Sequence, residues 1–181
     1  MLIAKQKRRE NIAEYILYLW QMEDLLRALN FDETQIYKTL VEPLQVDENT
    51  KKQTLAWYMG TVQLLQFEKK QQSGHTSHSL HLIADLNDVH LYLLPRDEKY
   101  AKLYQTAKPS IVDFGKKLEK HDENELELCF HALYARMLLR LKNHDISAET
   151  QQAIDDISKM IAYLSAKYLR YERGEEKYEQ K

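Results

Sequence analysis

Histidines and aspartates crowd one short stretch, "HTSHSLHLIADLNDVH", from His75 to His90. Imidazole and carboxylate are ligands for zinc, iron or manganese. On a helix turning about 100° per residue, His78, His81, Asp85, Asp88 and Tyr92 fall on one stripe, where neighbours three or four apart can chelate a divalent cation. The competing reading is a solvated face, because Leu82, Ile83, Leu86 and Val89 lie opposite. Zinc takes three or four ligands from the protein, and a single helix rarely completes such a shell. No other segment carries a His-containing ligand motif. The stripe is therefore expected to hold no stoichiometric metal.

Two further polar residues of the stretch, Asn87 and His90, point into an apolar arc of Ile83, Leu86, Leu91 and Leu94. A buried polar group without a partner costs about 1–3 kcal/mol, so both are expected to be hydrogen-bonded. His90 is the best acid–base candidate, since imidazole titrates near neutrality. Other charges also face inward. Glu23 and Arg27 stand one turn apart on the side of Ile16 and Trp20. Arg136 and Arg140 stand one turn apart beside Cys129 and Leu133. One reading is an interhelical ion-pair network, with Glu23 or Asp24 meeting Arg136 or Arg140. The other is a pocket for a small carboxylate or phosphate, lined by Glu23, Arg27, Asn87, His90, Arg136 and Arg140, between the first, fourth and sixth helices expected below.

Recognisable catalytic signatures are missing. No glycine spacing permits a dinucleotide fingerprint or a phosphate-binding loop, no nucleophile elbow occurs, and no Glu-x-x-His pair offers a di-iron bundle site. No cofactor is implied.

The elements that must position these residues read as helices. Gly 4 and Pro 3 are few for 181 residues, which leans to an all-α chain. The first helix runs through Ile12, Ile16, Leu19 and Leu26 and stops at Asn30. Asp32 and Gln35 resemble a capping box for a short second helix that ends before Pro43. A third starts near Asp47 or Asn49 and fades in "EKKQQSGHTSHS". The fourth holds the histidine stretch and stops at Pro95. The fifth carries Tyr100, Leu103, Tyr104, Ala107, Ile111 and Phe114, with a kink or a break into two helices expected at Pro109. The sixth, from about Glu123 to Lys142, is apolar over most of its circumference and reads as central. The seventh sets Ile154, Ile157, Ile161, Leu164, Tyr168 and Tyr171 on one seam. The expected architecture is a single-domain bundle of six or seven helices over residues 1–174, with a frayed tail at 175–181.

Charged residues make up 30% of the chain, yet the formal net charge is -2. That balance argues against a dedicated nucleic-acid surface. The one basic run, "KQKRR" from Lys5 to Arg9, reads as solvated. The apolar run "YILYLW" is too short for a membrane span or a signal-peptide core. Cys129, the lone cysteine, excludes an internal disulfide. A cytoplasmic protein is expected.

"MLIAKQKRRENIAEYILYLWQMEDLLRA", "DLNDVH" and "ELELCFHALYARMLLRLK" are blocks along which the whole chain resembles the family catalogued as domain of unknown function 4924, from Bacteroidetes. The resemblance implies a bacterial, cytoplasmic helical domain and implies no reaction. With Tyr 12, more than a small core buries, and Tyr favoured at interfaces, the expected function is binding a partner through helix surfaces, a second copy of the chain included. The alternative is the small-molecule or enzymatic pocket described above.

Overall fold

The computed structural model describes residues 2–118 and 124–177. Every regular element among them is helical: α1 (Leu2–Glu10), α2 (Ile12–Ala28), α3 (Glu33–Ile36), a π-helical turn (Tyr37–Val41), α4 (Glu48–Phe67), α5 (Ser77–Leu93), α6 (Glu98–Lys117), α7 (Glu125–Leu141) and α8 (Ala148–Glu172). The described residues are thus all-α, and among them the expected six or seven helices become eight. The extra helix is α1. Asn11 follows it, and its Oδ1 accepts from the Ala13 N–H at 3.0 Å. A side-chain acceptor at that position caps a fresh helix start.

Local chemistry accounts for the other boundaries. Asp32, Asp47, Asp97, Asn124 and Ser147 each accept a hydrogen bond from a backbone N–H of the first turn that follows. Such a cap contributes about 1 kcal/mol. At the end of α2, Asn30 and Phe31 turn left-handed, with φ of 52° and 59°. The Phe31 N–H then donates back to the Leu26 carbonyl at 3.1 Å, closing the helix as a Schellman turn does. The π turn ends just before Pro43, where the sequence places the stop. The start expected near Glu123 lies outside the described residues.

Pro109 does not split its helix: α6 runs through it. Proline removes one donor from the ladder, leaving the carbonyl four residues earlier without its bond. Both Gln105 and Pro109 are exposed, so water can take that carbonyl and the break is avoided.

The chain divides into two compact units, Met1–Arg9 with Glu14–His81 and Glu10–Ala13 with Leu82–Lys181. In the first unit Tyr18, Met22, Leu26, Ile36, Val41, Tyr58 and Val62 form the buried cluster. In the second, α6 lies along α8 and α7 packs on both. Tyr100, Ile111, Leu126 and Phe130 are fully buried there, each stabilising the unit by roughly 1.5–3 kcal/mol. The seam of α8 buries Ile154, Ile157, Ile161 and Leu164 as expected, while Tyr168 and Tyr171 stay half-buried. Only the first part of α7 is buried; Leu139 and Leu141 face solvent. Leu91, read as part of an apolar arc, is also exposed. Near the chain's end, Glu176 reaches back to Lys167 and Arg170, both at 2.9 Å, while residues 178–181 of the expected tail lie outside the described residues. No helix among the described residues is long and apolar enough to cross a membrane.

Candidate functional site

In the first unit, α2 projects two charged side chains at the loop that leads into α5. Glu23 is 1% exposed. Its Oε2 accepts from His75 Nδ1 at 2.8 Å, and its Oε1 accepts from the Thr76 hydroxyl at 2.7 Å and the Thr76 N–H at 3.2 Å. The His75 ring stacks flat on Trp20, centroids 3.7 Å apart and planes 2° from parallel. Trp20 Nε1 donates to Ser79 Oγ at 3.2 Å. One turn on, Arg27 Nε donates to the Lys70 carbonyl at 3.0 Å and another guanidinium nitrogen to the Gly74 carbonyl. Asp24 takes Nη1 at 2.8 Å. Glu68 caps the start of α5 through the Ser77 N–H at 2.7 Å. A buried carboxylate saturated by three donors is a fastening, and this one fixes the loop to α2.

His90, in the second unit, is 4% exposed. Its Nδ1 lies 2.6 Å from the Tyr100 hydroxyl. The Tyr104 ring meets it edge-on at 5.0 Å, and the Tyr104 hydroxyl donates to Glu125 Oε2 at 2.6 Å. Burial pushes the His90 pKa down against the opposing pull of Glu125, and Lys108 adds to the fall. Burial, then Glu125, pushes the Cys129 thiol up. Both side chains are enclosed in the second unit, His90 at 4% and Cys129 at 0% exposure.

Chemistry with access to solvent lies elsewhere in the second unit. Between α6, α7 and α8 a groove of about 570 Å³ opens, within the size range of small-molecule sites, roughly 300–1,000 Å³. Phe114, Ala132, Ala135, Ala153, Ile154 and Ile157 supply apolar lining, and the alanines leave space that larger side chains would fill. Asp113, Lys117, Arg136, Glu149 and Asp156 supply charge. Arg136 Nη1 is held by Asp155 at 2.8 Å. Its Nε is buried and has no hydrogen-bond partner among the described residues, a state that costs about 1–3 kcal/mol.

A family model described as Domain of unknown function (DUF4924) matches residues 1–175. The chain belongs to that family. No curated protein and no solved structure matches it. The family description names no reaction, so the chemistry of this member of the DUF4924 family is argued from its own side chains.

Of the residues singled out in the sequence, Arg136 lines the groove of this family member. Arg140 is exposed and is not among the lining residues. Asn87 is half-buried, and its side chain, expected to be hydrogen-bonded, has no partner among the described residues. Glu23 and Arg27 spend their charge on the loop of the first unit. Within the units, Glu23 meets His75 and Thr76, Asp24 meets Arg27, and Arg136 meets Asp155. His78, His81, Asp85 and Asp88 are exposed, and His78 Nε2 lies 3.4 Å from the Tyr15 hydroxyl. Among the described residues no group of three or more His, Cys, Asp or Glu is placed to hold a metal ion. Sequence reasoning missed Phe114, Ala135, Glu149 and Ala153. The one available signal was alanine at Ala132 and Ala135 on a helix otherwise rich in large apolar residues.

Proposed function

We propose that the protein is a binding module, not an enzyme, and that its site is the groove between α6, α7 and α8. The observation that carries this reading is a groove of about 570 Å³ with an apolar lining and the charged side chains of Asp113, Lys117, Arg136, Glu149 and Asp156. Convergent polar groups on an apolar lining are what small-molecule sites offer. Ser110 and Thr150 line the groove, but among the described residues neither hydroxyl is hydrogen-bonded to a side-chain base, which favours binding over turnover. The free, buried Cys129 supports a reducing cytoplasm as its compartment, which cell fractionation would check. The test of the site is a fragment screen followed by amide chemical shifts. Shifts confined to residues 109–117, 132–139 and 149–157, and lost in Ala135→Trp, support the reading. Hits that map elsewhere, or survive Ala135→Trp, overturn it.

A second reading, association through helix surfaces, draws on the exposed Leu139 and Leu141 of α7, 36% and 63% exposed. Large apolar side chains in water favour a partner. Light scattering should then show a mass that rises with concentration and falls in Leu141→Lys. A strict monomer removes the self-associating form of this reading.

A further inference from the structure

We infer that the exposed face of α4, in the first unit, pairs antiparallel with the same face of a second copy of this chain. The pairing uses neither the groove nor Leu139 and Leu141.

Charged residues make up 30% of the chain, yet none falls between Gln53 and Phe67. One side of α4 faces water along that whole stretch: Asn49, Gln53, Ala56, Gly60, Gln63 and Phe67 are all exposed. They recur in alternating steps of four and three, the spacing of a seam between paired helices. Half-buried Trp57 and Leu64 flank the seam. Phe67 at its end is 85% exposed. Gly60 lies inside the helix, where glycine costs about 1 kcal/mol relative to alanine. An added Cβ there meets nothing within 4 Å, so no neighbour within the chain requires this glycine. A backbone approaching closely from outside gives it a use.

A second copy is the occupant because the seam is its own complement. In an antiparallel pair, Ala56 of each copy faces Gly60 of the other, Gln53 faces Gln63, and Phe67 lies over Asn49. Small residues then meet at the centre, where the helix axes come closest. The Gln53 and Gln63 side chains have no partner among the described residues, and an amide both donates and accepts. The helix ends favour the same direction. Asp47 and Glu48 of one copy come level with Glu68, Lys69 and Lys70 of the other, two carboxylates against one net positive charge. Lys51 and Lys52 lie further in, level with Leu65 and Leu64. Antiparallel helices also set each positive N-terminus beside a negative C-terminus. A parallel pair would put Lys51 and Lys52 on their own copies and align the two dipoles.

Buried area sets the strength. α4 has 20 residues, and one face of a helix of that length covers roughly 300–500 Å² per copy. A stable interface takes roughly 800 Å² per partner. The dimer is therefore a weak one, half-formed at roughly 10–1,000 µM chain.

Sedimentation velocity of the full chain across that range tests the pairing. The mass should climb from 21.6 kDa toward that of two chains. Gly60→Arg puts two like charges at the centre and should weaken association at least about tenfold, while Leu141→Lys should leave it unchanged. Arginine forms helix well and its Cβ has room, so the variant should keep its circular dichroism. Cysteine pairs test the register even if Gly60→Arg fails to fold. Under mild oxidation, a mixture of Gln53→Cys and Gln63→Cys chains should form a disulfide dimer, and neither variant alone should. Either variant linking to itself, or no link in the mixture, overturns the antiparallel pairing. A mass rise that survives Gly60→Arg, or that Leu141→Lys abolishes, places self-association elsewhere and overturns it too. A strict monomer over the whole range overturns it and leaves the groove of the second unit untouched.

Discussion

Glu23 Oε2 and His75 Nδ1 meet at 2.8 Å across 52 residues of sequence. The carboxylate is 1% exposed and also accepts from the Thr76 hydroxyl and N–H. Glu23→Ala removes the acceptor and strands those donors. Each stranded buried donor costs about 1–3 kcal/mol, so urea unfolding should show a loss of about 2–4 kcal/mol. Glu23→Gln keeps one acceptor oxygen and should lose clearly less. Equal losses in the two variants would mean that packing, not the acceptor, holds the loop.

Arg27 binds the carbonyls of both Lys70 and Gly74, and the chain between them carries little else to hold it. Its residues Gln71, Gln72, Ser73 and Gly74 are exposed. Arg27→Ala should free this loop while leaving the unit folded, because local openings follow local contacts. Limited trypsin digestion should then cut faster after Lys69 and Lys70, and amide exchange should quicken over 69–76. Unchanged exchange there would show that Glu23 suffices alone.

His90 links stability to pH. Its folded pKa lies below the ordinary value of 6.5, so near that pH the unfolded chain binds the proton more readily. The contribution is complete above pH 6.5 and is lost as pH falls toward the folded pKa, with a slope of up to about 1.4 kcal/mol per pH unit. Urea unfolding of the native protein and of His90→Gln, between pH 7.5 and 5, should differ in slope in that direction. Parallel curves would place the titration elsewhere.

Cys129 is fully buried, and burial disfavours its thiolate. Attack on a thiol reagent requires the thiolate and access. The native protein should not react with Ellman's reagent over minutes, while the urea-unfolded chain should titrate a full equivalent. Fast reaction of the native form would mean that the core around α7 opens readily.

The sequence reading was most accurate where one residue acts on its immediate neighbours. Asp32, Asp47 and the stop before Pro43 lie where their spacing placed them, because a cap bonds within one turn. At Pro109 the expected break does not occur: α6 runs through it, its freed carbonyl open to water at an exposed position. Eight helices in place of six or seven came from a weak local signal, Asn11, inside an otherwise continuous helical pattern.

By itself, then, the sequence determined an all-helical chain, most of its helix ends and the inward placement of Glu23 and His90, since periodicity of about 3.6 residues and capping are properties of contiguous residues. It left open which charge meets which. Only the tertiary structure gave His75 to Glu23, Asp155 to Arg136 and Tyr100 to His90. Only it brought Phe114, Ala135 and Ala153, from three helices, around one groove. Pairing and cavity shape depend on how helices pack side by side, and many packings share the same pattern along the chain.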